Sequence, residues 1–467
     1  MAGTRMILLL ATFASLMLST ALILAGHGLS STLIPLRADL AGFGDLQIGL
    51  ISSSFYIGFV IGCVFGPFLI LRAGHIRAFA ALVSLMSGAA LLHPILLDPL
   101  AWALFRVITG LCFAGILLVV ESWLNDQATN ENRGTVMSLY IICYLGATMG
   151  GQLMVVGFDI STFVPFAIAS IFVSIAVVPV ALTKAVQPAP ITLVRFRPIN
   201  LYQTSAVALI GCLLIGLANS SMWALAPLYA KQIGYSTNEA AYFAAAIVLG
   251  GAITQWPIGR LSDRVDRRII ILLLGFTAAA ASLLLFILES GNFWGTFTIF
   301  LMLGMASQPT YAIVAAHAFD YVEAEDYVET SSGVLMSNGI GSMIGPTLAA
   351  GLMYSIGPEG LFVWVALVEV ALALFVISRL FIRPADEALE KTDFEYGATS
   401  NMGAVLTPDP LDIEDPYVIP PEEFPAYEQE EEEEPSEETD DLPNRNDEGE
   451  NPPTTDETQD NSRFPSG

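Results

Sequence analysis

Long apolar stretches alternate with short polar segments along residues 1–384, and twelve such stretches follow one another. A helix needs roughly 20 apolar residues to cross a hydrocarbon layer about 30 Å thick, and every stretch reaches that length. The pattern therefore predicts an all-α membrane protein with twelve transmembrane helices. Their predicted positions are 7–35, 45–70, 76–97, 99–123, 134–157, 161–183, 201–230, 238–259, 267–289, 292–318, 329–355 and 358–382.

The first apolar stretch lies behind Arg5, close to the amino terminus, where a secretory signal would also lie. It is longer than the apolar core of a signal, and no clear small-residue cleavage site follows it. We therefore expect it to be retained as the first transmembrane helix.

A polar segment with three prolines, 184–200, divides the twelve stretches six and six. We expect it to be a cytoplasmic linker between a six-helix bundle at 1–183 and a second bundle at 201–384.

The two predicted bundles carry similar patterns at corresponding places. The arginine spacing of 66–77 matches that of 259–268 at an offset of about 192 residues, and Gly146–Gly151 matches Gly341–Pro346 at about 195. Parallel six-helix repeats are typical of secondary transporters, whose substrate site lies near the middle of the membrane between the halves.

Lysine and arginine are distributed unevenly between the two sides of the predicted bundle. With the amino terminus inside, thirteen fall on the cytoplasmic side, and only Arg37 and Lys231 fall outside. Because cytoplasmic loops carry an excess of Lys and Arg, we expect both termini to be cytoplasmic. The thirteen are Arg5, Arg72, Arg77, Arg133, Lys184, Arg195, Arg197, Arg260, Arg264, Arg267, Arg268, Arg379 and Arg383.

Acidic charge is concentrated beyond the last apolar stretch. Residues 385–467 hold 27 acidic and 3 basic residues, whereas 1–384 hold 18 and 16, so the net charge of −26 belongs almost entirely to the tail. Such a composition cannot bury enough apolar surface to offset the entropy of ordering. We predict a disordered acidic cytoplasmic tail, which is either a solvated appendage or a binding segment for a basic partner.

The composition of the body excludes several classes of protein. The chain is 54% hydrophobic and 14% charged, against about a quarter charged in soluble proteins, so we expect neither a soluble enzyme nor a nucleic-acid binder. The cysteines show no metal-site or disulfide spacing, and we expect no metal and no cofactor. No phosphate-binding Gly-Lys-Ser/Thr loop is present, which favours energy from an ion or solute gradient. The cysteines are Cys63, Cys112, Cys143 and Cys212.

Several motifs in the body resemble those of the major facilitator superfamily. Gly259-x-x-x-Asp263-Arg264-x-x-Arg267-Arg268 resembles its loop motif between spans eight and nine, and Arg72-x-Gly74-x-x-Arg77 resembles the first-half copy, with Leu71 in place of the family's Asp. Arg106-x-x-x-Gly110 is similar to its membrane-embedded arginine motif. Its helix-packing antiporter motif is matched by Gly146 and Gly150 in span five, without the family's proline, and by Gly341, Gly345 and Pro346 in span eleven.

The stretch Glu121-Ser-Trp-Leu-Asn125, followed by Arg133-Gly134, resembles a little-characterised bacterial branch of the same superfamily. The resemblance covers residues 1–384 and implies the twelve-helix fold of that family. It also implies that the loop motifs act in gating. Asp263 would pair with a guanidinium, or cap a neighbouring helix, in one state of the carrier and not the other. The arginines by themselves also satisfy the rule for cytoplasmic loops.

The resemblance further implies a solute cavity lined by spans one, four, seven and ten. A charge inside a span is costly unless it faces a wet cavity or a partner. We therefore expect Arg106 to organise the cavity or bind an anionic or carbonyl group, the alternative being a structural bond to a carbonyl of span one. For His27 the alternative is a structural role in which the ring is hydrogen-bonded within the bundle. The other candidates have polar or aromatic side chains long enough to enter the cavity, and they are Asn219, Trp223, Gln308 and Tyr311.

Two further residues are candidates for carrying a coupling proton. Glu121 lies near the cytoplasmic end of span four, and alignment of the repeats places His317 of span ten opposite it. An interfacial, solvated role is the alternative for Glu121. We expect Asp320, one turn beyond His317, to be solvated.

These observations favour a monomeric secondary active transporter of small organic solutes that works by alternating access, with proton-coupled efflux across a bacterial inner membrane. One alternative is uptake or facilitated diffusion by the same fold. Another is a membrane sensor or scaffold that does not transport and signals through the tail. Because Arg106 is the only cation deep in the body, we expect a neutral or weakly charged, partly apolar solute.

Overall fold

The computed structural model describes residues 2–127, 133–182, 198–287, 291–322 and 327–382. Within these ranges the chain forms helices and no strand. They are α1 (Ala2–Leu40), α2 (Asp45–Ala73), α3 (His75–Ile95), α4 (Pro99–Gln127), α5 (Arg133–Met154), α6 (Val164–Ile175), α7 (Val177–Ala181), α8 (Pro198–Thr204), α9 (Ala206–Gln232), α10 (Thr237–Arg264), α11 (Arg267–Ile287), α12 (Phe293–Phe319), α13 (Tyr327–Ile356) and α14 (Gly360–Ile382), with a short 3-10 helix, Val155–Gly157, after α5.

Twelve segments of the described ranges are long and apolar enough to cross a membrane, which confirms the predicted all-α membrane fold. Helices α6 and α7 together form the sixth span, Val164–Ala181. The break between them follows from Pro179, which has no N–H to donate to the carbonyl of Ile175. Most of the predicted linker, 184–197, and the acidic tail, 385–467, lie outside the described residues.

Several helices extend beyond their predicted ends. Helix α4 reaches Gln127 and α10 reaches Arg264, so the segment 259–264, predicted to be a loop, is the last part of a helix. Helices continue past the apolar layer because their backbone hydrogen bonds form within the helix, whether its side chains are apolar or polar. The seventh span begins at Ala206, later than predicted, because the Ser205 hydroxyl accepts a hydrogen bond from the Ala208 N–H (3.1 Å) and caps the helix there.

Glycines bring one corresponding pair of helices together in each half. Between α2 and α4, a Cβ on Gly58 would overlap the carbonyl of Val107, and a Cβ on Gly110 would overlap the carbonyl of Phe55. Between α10 and α12, the same reciprocal contact joins Gly250 to Leu301 and Gly304 to Ile247. The second half thus repeats the packing of the first, as the sequence repeat predicts.

The second repeated contact corrects a predicted motif. In α9 and α13, Gly216 and Gly341 meet the carbonyls of Asn338 and Leu213, and in α1 and α5 the matching contacts are made by Gly28 and Gly151 with Thr148 and Ala25. Gly341 therefore corresponds to Gly151.

Gly146 and Gly150 make no close helix contact in this structure, because a Cβ on either would meet nothing within 4 Å. The sequence alignment of the two repeats was five residues out of register in this helix. Gly345 packs against the carbonyl of Leu217, and the Pro346 carbonyl lies against Gly49 of α2.

Hydrogen bonds join the two halves near one end of the bundle. We call the end that carries 72–77 and 259–268 the motif end, and the other the far end. Near the far end, Gln232 Nε2 donates to Asp45 Oδ1 (2.7 Å), and Thr347 Oγ1 donates to Ser53 Oγ (2.8 Å).

The hydrophobic cores show the same asymmetry between the ends. Far-end residues of the first half, such as Leu33 and Trp102, share one core with the second half. Near the motif end the first half has its own core, to which Leu335 is the single contribution of the second half among the described residues. The structure is therefore closed at the far end, with separate cores at the motif end.

Candidate functional site

A cavity lies where α1, α2 and α4 of the first half meet α9 of the second. It holds about 30 Å³ of water-accessible space, and His27, Phe55, Tyr56, Arg106 and Trp223 line it. Three of the predicted cavity residues, His27, Arg106 and Trp223, are thus brought together. Phe55 and Tyr56 were not predicted, because the resemblance indicated spans one, four, seven and ten and these residues lie on span two.

Arg106 is the cation of this cavity. Its side chain is buried, with 7% exposed, and its guanidinium carbon lies 4.3 Å from the centre of the Phe55 ring. Among the described residues its Nε has no hydrogen-bond partner, and no carboxylate pairs with it. A charge at this depth costs about 3 kcal/mol or more to insert, so a ligand or water that compensates the charge of Arg106 would be strongly stabilised in the cavity.

The close packing of α2 against α4 positions Phe55 under Arg106. Gly110 lies one turn beyond Arg106 on α4 and lets the backbone of Phe55 approach. A guanidinium over an aromatic face gains cation–π attraction, which partly offsets the loss of water. Gly110 therefore acts through packing.

His27 lies between two aromatic rings at the edge of the same cavity. Its ring stacks on Phe113 at 4.1 Å and lies 5.2 Å from Phe55. Neither ring nitrogen is hydrogen-bonded to another described residue. Stacking occupies the faces of the ring and leaves its edge, which carries the two nitrogens, for other partners.

A second cavity, of about 20 Å³, also borders Arg106 and is lined by residues of the first half. His27, Arg106 and Thr109 line it together with His93 of α3, which was not predicted. His93 Nδ1 is 2.8 Å from the Ala89 carbonyl, so it donates, and Nε2 has no partner among the described residues. A volume of this size suffices for about one water molecule, which would find a donor at Arg106 and an acceptor at His93.

The remaining cavity candidates lie on α9 and α12, and do not line either cavity. Asn219 Nδ2 donates to the Ser307 carbonyl at 3.4 Å, and Gln308 packs its Cβ against Gly251. Tyr311 is buried, and its hydroxyl has no hydrogen-bond partner among the described residues. These side chains retain polar atoms that a larger opening between the halves would reach.

Glu121 is enclosed nearer the motif end of α4. It is 2% exposed, and the Tyr140 hydroxyl donates to its Oε1 at 2.6 Å. Cys63, Tyr144 and Tyr311 lie within electrostatic range of its carboxylate. Since Tyr311 belongs to the second half, Glu121 lies close to the boundary between the halves.

His317 does not occupy the position equivalent to Glu121. The glycine contacts that relate α4 to α12 set an offset of 194 residues, which places Ala315 opposite Glu121. His317 is buried and makes an edge contact with Tyr321, ring centres 5.0 Å apart. The prediction that aligned the two was two residues out of register.

The second-half motif forms ion pairs within its own bundle. Arg267, which is 1% exposed, binds Asp320 Oδ2 through Nε at 2.9 Å and lies 3.6 Å from Asp263 Oδ1. Asp320 was predicted to be solvated and is instead buried, because α12 remains packed on α11 to its end. Asp263 thus has the guanidinium neighbour that the motif predicts.

Arg268 forms a second pair at the same turn. Its Nη2 contacts Asp266 Oδ2 at 2.8 Å, and its backbone N–H donates to Oδ1 at 2.9 Å. Burial alone would raise the pKa of Asp266, but the hydrogen bonds and charge of Arg268 outweigh burial and lower it. Asp266 is therefore held ionised in the short connection between α10 and α11.

In the first half the loop motif is built differently. Gly74 joins α2 to α3 with φ +79°, a conformation that favours glycine. Arg72 and Arg77 flank it and are exposed. Arg264 is the last residue of α10, after Gly259, whose carbonyl accepts from the Ser262 hydroxyl at 2.7 Å.

A bundle of two similar six-helix halves, closed at one end around a buried cation, defines a multi-pass membrane transport protein. The family model of the Major Facilitator Superfamily matches residues 16–250 and 208–413. The chain belongs to that superfamily, as its motifs predicted.

Relatives in two bacterial genera are similar over most of the chain. It is 28% identical over 359 residues to "Uncharacterized MFS-type transporter YcaD" of Salmonella arizonae, covering 74% of this chain and 90% of the relative. It is 27% identical over 361 residues to an MFS-type transporter of Enterobacter, covering 76% and 91%.

Solved structures of transporters have the same fold. The nucleoside transporter NupG superposes with a TM-score of 0.66 at 14% identity, covering 79% of this chain and 98% of NupG. A bacterial homologue of the human lysosomal transporter Spinster, in an inward-facing and occupied conformation, superposes with a TM-score of 0.65 at 15% identity, covering 79% and 95%.

Proposed function

We propose that this chain is a monomeric secondary active transporter that moves small organic solutes across the bacterial inner membrane by alternating access. The observation that carries the proposal is a buried guanidinium, Arg106, which faces a cavity between the two halves and lacks a carboxylate partner among the described residues. Relatives in Salmonella and Enterobacter carry the name MFS-type transporter, which supports the same activity.

The orientation follows from the distribution of Lys and Arg, which favours a cytoplasmic motif end. In that orientation the far-end contacts, Asp45 with Gln232 and Ser53 with Thr347, close the cavity toward the outside. The structure then corresponds to a state that faces the cytoplasm. Transport requires these contacts to break while the motif end closes.

Glu121 is the residue we assign to proton coupling. Its carboxyl is buried beside Tyr140, and Tyr311 of the other half lies within electrostatic range of it. A carboxylate that gains or loses a proton at this boundary changes the energy of bringing the halves together. We propose efflux coupled to proton entry, with Glu121 exposed in turn to either side.

A disulfide across the far end tests alternating access without knowledge of the solute. In a variant without its four native cysteines, Ser53→Cys and Thr347→Cys would lie where the hydroxyls are now 2.8 Å apart. A third cysteine, Trp223→Cys, reports access to the cavity through an impermeant thiol reagent. Before oxidation we expect labelling from both faces of the membrane, and after oxidation from the motif-end face alone.

A matched pair within one half provides the control. Ser87 and Ser170 lie on α3 and α6 with their hydroxyls 2.7 Å apart, so their cysteine variants form a similar bridge that does not join the halves. This bridge should leave labelling from both faces unchanged. Labelling from one face in the reduced protein, or loss of labelling with the control bridge, would contradict alternating access.

The direction of transport and the coupling ion are tested in proteoliposomes once a solute is in hand. An inward proton gradient should drive the solute out, and Glu121→Gln should abolish the response to the gradient while solute exchange continues. Accumulation with the gradient would instead show uptake, and movement indifferent to it would show facilitated diffusion. A sensor or scaffold would show neither movement nor two-sided labelling of the cavity.

A further inference from the structure

The charge of the cavity is the first clue to its ligand. Arg106 contributes one positive charge, and no carboxylate of the described residues lines either cavity beside it. Its nearest ring, Phe55, offers a π face and no counter-charge. A ligand with one negative charge would neutralise the site, whereas a cation would be repelled and a dianion would bring an excess charge into a buried space.

A second donor lies beside Arg106. His27 lines both cavities, and its nitrogens make no hydrogen bond to the described residues. Because stacking on Phe113 at 4.1 Å holds the ring, its edge has a fixed direction, and both nitrogens remain available for a ligand. A guanidinium and an imidazole N–H together provide donors for the two oxygens of a carboxylate.

The rest of the cavity wall is apolar or aromatic. Phe55 and Tyr56 come from α2, and Trp223 comes from α9 of the other half. Ile34 and Pro35 complete the wall on the side of α1. Such a surface suits a planar or apolar body, and Trp223 would bring that body into contact with both halves.

We infer that the solute is an amphipathic monoanion, with its carboxylate held by Arg106 and His27 and an aromatic or apolar body against Phe55, Tyr56 and Trp223. This inference rests on the proposed transport function and names its substrate class. The accessible space in the present state is smaller than such a solute, so the wall formed by Trp223 moves away from α2 to admit it. An anion that joins the halves through Trp223 would favour their closure around it.

Binding to the full-length protein in detergent tests the substrate class with matched probes. Benzoate, phenylacetate and indole-3-acetate are each compared with the corresponding neutral amide, and acetate, phenylmalonate and phenethylamine vary the body and the charge. At least one aromatic carboxylate should bind about tenfold or more tightly than its amide, because a charge-assisted bond to Arg106 is lost in the amide. That carboxylate should also bind better than acetate, the dianion and the amine.

Variants connect the preference to the cavity. Arg106→Gln should remove the difference between carboxylate and amide, and Arg106→Lys should keep part of it. Arg260→Gln is the control, since Arg260 also lies over an aromatic ring, 4.1 Å from Trp256, but is exposed and outside the cavity. Trp223→Ala should weaken the aromatic carboxylates and leave acetate unchanged.

Each outcome bears on one proposal or the other. If no carboxylate exceeds its amide, or if Arg106→Gln keeps the preference, the inference is overturned. If the cavity is nevertheless labelled from both sides, alternating access is supported and only the proposed substrate class is rejected. One-sided labelling would reject the transport function even if a carboxylate bound at Arg106.

Discussion

Two adjacent glycines of α5 allow a sharp test of how the first half is packed. A Cβ on Gly151 would overlap the carbonyl of Ala25 on α1, whereas a Cβ on Gly150 would meet nothing within 4 Å. Both positions are helical, so substitution by alanine gives each the same gain in helix propensity, about 1 kcal/mol at most. The difference between the two variants therefore isolates the overlap with α1.

The expected difference is about 1–3 kcal/mol, the usual cost of forcing an extra methyl group into a packed contact. Gly150→Ala should be neutral or slightly stabilising, and Gly151→Ala should lower the stability. Reversible unfolding in mixed micelles, followed by tryptophan fluorescence, measures the difference. Gly341→Ala, at the equivalent position of α13, should behave like Gly151→Ala because it meets the Leu213 carbonyl in the same way.

Equal losses for Gly150→Ala and Gly151→Ala would refute this reasoning, since the surroundings of the two differ so clearly. A stable Gly150→Ala variant that has lost two-sided labelling of the cavity would have a different meaning. Gly150 would then pack in the opposite state of the carrier, which is where an antiporter-type motif in this helix would act.

Four further outcomes are expected. Asp320→Asn should cost about 3 kcal/mol in the same unfolding assay, because it removes the nearer of the two carboxylates paired with the buried Arg267, and a loss below 1 kcal/mol would contradict burial of the pair. Arg268 lowers the pKa of Asp266, so the stabilisation of the fold by this pair is complete above about pH 4 and is lost as pH falls through the lowered pKa. Asp266→Asn should therefore flatten the acid side of the plot of unfolding free energy against pH. An unchanged plot would count against the pair. Gly74→Ala should cost about 1 kcal/mol, since φ +79° strains any residue with a Cβ. An unaltered Tm would instead show that the loop rearranges freely. Removal of 385–467 should leave labelling of the cavity unchanged, and a folded but inert truncation would show that the tail takes part.

The number and order of the spans could be predicted because length and hydropathy determine them. Their ends and internal breaks could not, since a cap such as Ser205 or a missing N–H such as that of Pro179 acts through a single atom that hydropathy averages away. Asp320 was misjudged for a related reason. Depth along a helix says little about burial where a neighbouring helix, here the one carrying Arg267, continues alongside it.

Part of the candidate site was also accessible from the sequence. Arg106 was singled out because an intramembrane charge is costly, and its neighbours His27 and Trp223 followed from the resemblance. Phe55, Tyr56 and His93 were missed because aromatic residues in an apolar span look like packing. The signal that could have found Phe55 was Gly110, whose lack of a side chain indicates a helix pressed against that turn of α4.

The repeat makes the position of the charge informative. The contact of Gly58 with Val107 in the first half is reproduced by Gly250 with Leu301 in the second, so the α2–α4 and α10–α12 pairs share one register. In that register Phe300, which is fully buried, occupies the place of Arg106. The two halves therefore keep the same packing and differ in chemistry, because the first half holds the cation and the second presents apolar and aromatic surface such as Trp223. A solute with a charged end and an apolar end would contact each half through a different part of itself, and it would bind fully only when the halves meet.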